Sequence, residues 1–102
     1  MSGVTEAGIR EAIQSAFRGR PVKRVELFGS SARGEMTPDS NVDILVTPTP
    51  EAARHDLCVI AAEVEDALGR PVDFLTPSDV GAMKNIQARD LILGSAVAVY
   101  VP

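Results

Sequence analysis

The sequence predicts an α/β domain: a mixed sheet of about four strands with helices packed on it, forming a single domain over residues 1–102. Three observations carry this expectation. Segments of helical and of extended periodicity follow one another as helix, strand, loop, strand, helix, strand, helix, strand. The chain is 45% apolar with no Trp, so its core must be assembled from Val, Ile, Leu and Ala. The link from Gly29 to Asn41 between the first two strands is short for a parallel crossover, which makes that pair antiparallel and the sheet mixed.

Each element has its own signature. From Thr5 to Phe17, Ile9, Ile13 and Phe17 recur at four-residue steps beside Ala12 and Ala16, which describes an amphipathic helix. Thr5 would cap it and Gly19 would end it. Val22 to Phe28 is rich in branched residues and reads as the first strand, and Ser40 to Val46 as the second. Thr47-Pro48-Thr49-Pro50 breaks the chain before a helix from Glu51 to Leu68, whose buried stripe would be Leu57, Ile60, Ala61, Val64 and Leu68. His55 falls away from that stripe and reads as a surface residue, whereas Cys58 reads as a small buried side chain. Gly69-Arg70-Pro71 stops the helix, and Val72 to Leu75 forms a short strand. Ser78 would cap a last helix from Asp79 to Leu93, ended by Gly94, with Asp79 as a favourable charge in its first turn. Ala96 to Val101 closes the chain as a strand suited to a sheet edge.

Composition excludes several functions. A formal net charge of −4 argues against broad contact with a nucleic-acid backbone, although Arg18, Arg20, Lys23, Arg24 and Arg33 cluster before or within the glycine-serine loop. One cysteine permits neither an internal disulfide nor a zinc cluster. No basic segment followed by an apolar run opens the chain, and no stretch has the length of a membrane span, so a cytoplasmic protein without membrane contact is expected.

The stretch with the most chemistry is Leu27-Phe28-Gly29-Ser30-Ser31-Ala32-Arg33-Gly34, followed by Asn41-Val42-Asp43-Ile44. Gly29 allows a sharp turn and the close approach of a ligand, and Ser30 and Ser31 supply hydroxyls. Asn41 and Asp43, two apart on a strand, share a face and can converge with the loop on a phosphate and a metal. Neither a Walker loop nor a dinucleotide fingerprint is present. Arg33 is placed either to reach a phosphate or to brace the loop against Glu35 or Asp39. A plain glycine-serine turn is the alternative for the loop taken alone.

Gly29-Ser30, Ala32-Arg33-Gly34 and Asn41-x-Asp43, with Asp73 on a later strand, resemble the signature of the minimal nucleotidyltransferases, small relatives of the DNA polymerase beta superfamily. The resemblance covers nearly the whole chain. It implies the nucleotidyltransferase (polymerase beta-like) fold and transfer of a nucleotide, AMP from ATP, to a protein acceptor. It also implies nucleotide contacts from Gly29, Ser30, Ser31 and Arg33, and two Mg2+ ions held by the positions of Asn41, Asp43 and Asp73. Asp43 would bridge metals, and Asp73 would ligate the catalytic metal or accept the acceptor's proton. Such proteins are often antitoxins of HEPN toxins, so a HEPN-type partner is implied. A homo-oligomer formed through the closing edge strand is the alternative. The first acidic position of the pattern is Asn41 here, which can offer a carbonyl oxygen but no charge. A second reading therefore stands beside the enzyme: a weakened or inactive nucleotide-binding module that neutralises its partner by complex formation alone. A glycosyltransferase-like metal site is a third, opposed by the Gly-Ser loop and the small size.

Overall fold

Two branched, apolar segments pair antiparallel at the centre of the computed structural model, which describes residues 6–33 and 41–102. They are β1 (Val22–Leu27) and β2 (Val42–Pro48), joined in register from Val25 opposite Val46 to Leu27 opposite Ile44. β3 (Val72–Leu75) lies parallel to β2, and β4 (Val97–Tyr100) lies antiparallel to β1, giving a mixed sheet in the order β3-β2-β1-β4. The short link between β1 and β2 thus makes the antiparallel pair that its length predicts.

Strand alternation divides the molecule into two faces. Val42, Ile44 and Val46 are fully buried on one, against α1 (Glu6–Phe17) and α3 (Arg54–Leu68). α1 contributes Ile9, Ile13 and Phe17, and α3 contributes Ile60, Val64 and Leu68, each at four-residue steps. The core is thus not built from Val, Ile, Leu and Ala alone, as composition suggested. Phe17 falls on the α1 stripe at a four-residue step and is fully buried, its ring stacked on Phe74 of β3 with centroids 6.5 Å apart. On the other face Leu45 packs with Phe28 and Val80 in a smaller cluster, with Leu75 and Ile92 against it. That face carries α4 (Pro77–Gly81) and α5 (Ile86–Ser95), while α2 (Gly29–Arg33) follows β1, touching β2 and α5 and packing Ala32 against the main core.

Several boundaries differ from the sequence-based expectations. β2 runs on through Thr47 to Pro48, because a register shift between Val22 and Arg24 of β1 gives the proline a place in the ladder. α3 starts at Arg54 rather than Glu51: Ala53 is extended, and the Asp56 carboxylate accepts from its N–H at 3.0 Å. Cys58 is exposed, not buried, because it lies two residues before Ile60 and so roughly 200° around the helix from the core stripe. The single helix expected over 79–93 is two. Thr76 caps α4 in reciprocal bonds with Asp79, 3.2 Å to the Asp79 N–H and 2.9 Å from its own N–H to the carboxylate, with Pro77 inside the first turn. Asn85 caps α5 through the Ala88 N–H at 3.1 Å, and α5 passes through Gly94 to Ser95. Ser78 therefore lies within α4 and caps nothing. The Thr5 cap and the segment 34–40 lie outside the described residues, as do the side chains of Ser30, Arg33 and His55.

β4 departs from ideal pairing at its middle. Val25 faces Tyr100 while the adjacent Glu26 faces Ala98, so Val99 is an extra residue in the ladder, and its carbonyl accepts from the side-chain amide of Gln14 at 3.1 Å. Among the described residues no helix is long and apolar enough to cross a membrane.

Candidate active site

Asp43 and Asp73 occupy the second positions of β2 and β3 and are register partners across the parallel ladder. Strands in a sheet lie about 4.8 Å apart, and register partners in a parallel pair point to the same face. The buried neighbours on either side of Asp43, Val42 and Ile44, fix which face that is: the one away from α1 and α3. Asp43 is half-buried and Asp73 is exposed. Asn41 lies just before β2 and is exposed.

The glycine turn closes on Asp43 from the end of β1. Gly29 has φ +60°, a left-handed conformation that glycine adopts at little cost. A Cβ built on it would stand 2.8 Å from the Asp43 Oδ2, so the carboxylate lies against the bare face of the glycine. Three hydrogen bonds hold the arrangement. The Phe28 N–H donates to the Asp43 carbonyl at 3.1 Å, the Asp43 N–H donates to the Ser31 hydroxyl at 2.9 Å, and the Gly29 N–H donates to the Ser95 hydroxyl at 3.2 Å.

Ser31 is 2% exposed, so its hydroxyl acts on the site through the main chain of Asp43 rather than by facing solvent. Gly29, Ser31, Asp43 and Asp73 are thus assembled at one place, with Asn41 ahead of Asp43 in the chain. The backbones of Ser30 and Arg33 belong to α2 beside them. Ser95, 66 residues from Gly29, is a site neighbour without a sequence signal.

The donor set suits a divalent cation in part. Two carboxylates on one face, one of them packed against Gly29, match the one or two carboxylates plus substrate phosphates that Mg2+ favours. Among the described residues no three His, Cys, Asp or Glu side chains form a metal-holding group, which agrees with an amide at position 41. A groove of about 600 Å3, lined by Thr47, Leu57, Cys58, Phe74, Thr76 and Asp79 among others, opens at the carboxyl ends of β2 and β3. Asp43 and Asp73 sit near the amino ends of the same strands, so this groove is a separate feature.

The profile of the family described as nucleotidyltransferase domain matches residues 7–93. A protein of Methanocaldococcus jannaschii named "Putative protein adenylyltransferase MJ0435" is 38% identical over 78 residues, covering 76% of this chain and 80% of its own length. Among solved structures, one described as a putative minimal nucleotidyltransferase superposes with a TM-score of 0.74 at 28% identity, covering 95% of this chain and 98% of that one. The fold also resembles a chain of a toxin–antitoxin structure with AMP-PNP, with a TM-score of 0.69 at 17% identity, covering 91% of this chain and 73% of that one. A structure of tri-AMPylated Shewanella oneidensis HEPN toxin in complex with MNT antitoxin gives a TM-score of 0.67 at 14% identity, covering 96% and 74%. With a family match across residues 7–93 and the fold shared with a minimal nucleotidyltransferase, the chain belongs to the nucleotidyltransferase domain family.

Proposed function

We propose that this chain is a metal-dependent nucleotidyltransferase that moves AMP from ATP to a protein acceptor, and that its acceptor and partner is a HEPN-type toxin. The observation that carries the reading is the in-register pair Asp43 and Asp73 with the Gly29 turn set against the Asp43 carboxylate. The adenylyltransferase relative and the neighbours described with AMP-PNP and with an AMPylated HEPN toxin support the nucleotide, the acceptor class and the partner.

In this reading an acceptor hydroxyl oxygen bonds to the α-phosphorus of ATP as the bond to the bridging oxygen breaks and pyrophosphate leaves. Asp43, Asp73 and the Asn41 carbonyl would hold Mg2+, two ions in a site of this type, which supplies charge neutralisation on the phosphates. Asp43 is fixed for this through its main chain, by Ser31 and by Phe28. Asp73, more exposed than Asp43, would take the hydroxyl proton. Ser30 and Arg33 lie on α2, where the transferred nucleotide's phosphates would rest.

A specific observation favours a second reading. Asn41 stands at the first acidic position of the family pattern and brings no charge, which leaves Asp43 and Asp73 as the carboxylates at the pattern's positions. Weakened transfer, with neutralisation by complex formation, follows if the third charge is needed. The deciding experiment is transfer of labelled AMP from ATP with magnesium, to a co-expressed HEPN partner and to the chain itself. Asn41→Asp is expected to raise the rate by at least 10-fold, on the scale of changes at metal-site neighbours. Asp43→Asn is expected to abolish transfer. Equal rates for the parent chain and Asn41→Asp would make the first acidic position dispensable. An inactive Asn41→Asp with the partner present would leave the binding module as the function.

A further inference from the structure

We propose that Ser95, at the last turn of α5, is a positioning residue for the Gly29 turn, an inference that rests on the nucleotide reading above. Its hydroxyl stands between two backbone groups. It accepts from the Gly29 N–H at 3.2 Å and donates to the Ile92 carbonyl at 3.4 Å. The second bond is the ordinary back-bond of a serine in a helix. The first is not local: it ties the end of α5 to a turn 66 residues earlier in the chain.

The geometry of the turn gives that bond its importance. Gly29 holds a left-handed conformation and lies against the Asp43 carboxylate, yet as a glycine it has no side chain to anchor it. Ser31 fixes the Asp43 side of the contact, and Ser95 fixes the Gly29 side. Without the Ser95 hydroxyl, a half-buried N–H loses this acceptor, and the turn is free to rotate away from the carboxylate. The N–H of Gly29 is directed at Ser95, so the glycine serves a phosphate through curvature and close approach rather than as a donor. α5 thereby enters nucleotide affinity without placing a side chain on the ligand.

The test uses the full chain in the Asn41→Asp background, with amide hydrogen exchange followed by NMR and AMP-PNP binding with magnesium followed by calorimetry. Ser95→Ala is expected to speed Gly29 exchange relative to the core amides of β1 and β2 in the same sample, which separates a local effect from lost stability. Affinity for AMP-PNP should fall about tenfold, the scale of one lost hydrogen bond to a half-buried group. Ser95→Thr, which keeps the hydroxyl, should restore both. Unchanged Gly29 exchange in Ser95→Ala overturns the proposal, and so does faster exchange with unchanged affinity. If no variant binds AMP-PNP, the nucleotide reading fails instead, and the relative Gly29 exchange alone decides whether Ser95 holds the turn.

Discussion

A methyl group at position 29 would be felt first by Asp43. Gly29→Ala forces a side chain into φ +60°, which costs about 1–2 kcal/mol in backbone strain. It also puts a Cβ where the carboxylate now stands 2.8 Å away. The Asp43 side chain can swing aside, so the fold survives while the proposed ligand is displaced. The expected outcome is a modest loss in chemical denaturation and a much larger loss of magnesium-dependent nucleotide affinity; equal losses in both would show that the carboxylate's place is immaterial. Residue-scale chemistry was legible where it is local in sequence. Gly29 and Asp43 could be singled out from a glycine between two apolar runs and from strand alternation, whereas Asp73 could be singled out only through the resemblance to the family. The burial of Ser31 and the contact of Ser95 could not, since both depend on where α2 and α5 come to rest.

Elements were legible to the degree that their signals were unopposed. α1, with apolar residues at strict four-residue steps, ends where expected, at Phe17. The stretch after β3 reads as one helix from Asp79 to Leu93 capped by Ser78. Thr76 with Asp79 and Asn85 with Ala88 instead make two starts, and apolar periodicity alone does not reveal a break between them. Each cap can be tested separately. Thr76→Ala and Asn85→Ala should each cost about 1 kcal/mol in denaturant unfolding. The Asn85 variant should in addition loosen α5, and with it Ser95, so that its effect on AMP-PNP affinity exceeds that of Thr76→Ala. Equal effects on affinity would mean that α5 does not support the glycine turn.

For the molecule as a whole, the alternation of helical and extended segments together with the short link after β1 was enough to predict a mixed sheet of about four strands. The order β3-β2-β1-β4, by contrast, depends on pairings between segments distant in the chain. The core rests heavily on Phe17, fully buried and stacked on Phe74 between α1 and the sheet. Phe17→Ala is expected to remove about 3–5 kcal/mol, a large part of the roughly 5–15 kcal/mol available to a domain, and a thermal melt would read the loss directly. Little of the outer surface of α5 is covered: Ile86, Leu91 and Leu93 are each more than half exposed, and Val101 beyond β4 likewise.

Val101 directly follows β4, a sheet margin that is poorly suited to recruiting further strands. The extra residue at Val99 and the Gln14 amide on its carbonyl interrupt the even spacing that an incoming strand would have to match. The route to fibrillar cross-β stacking along this margin is obstructed within the native fold, even though the closing segment carries no charge to repel a neighbour.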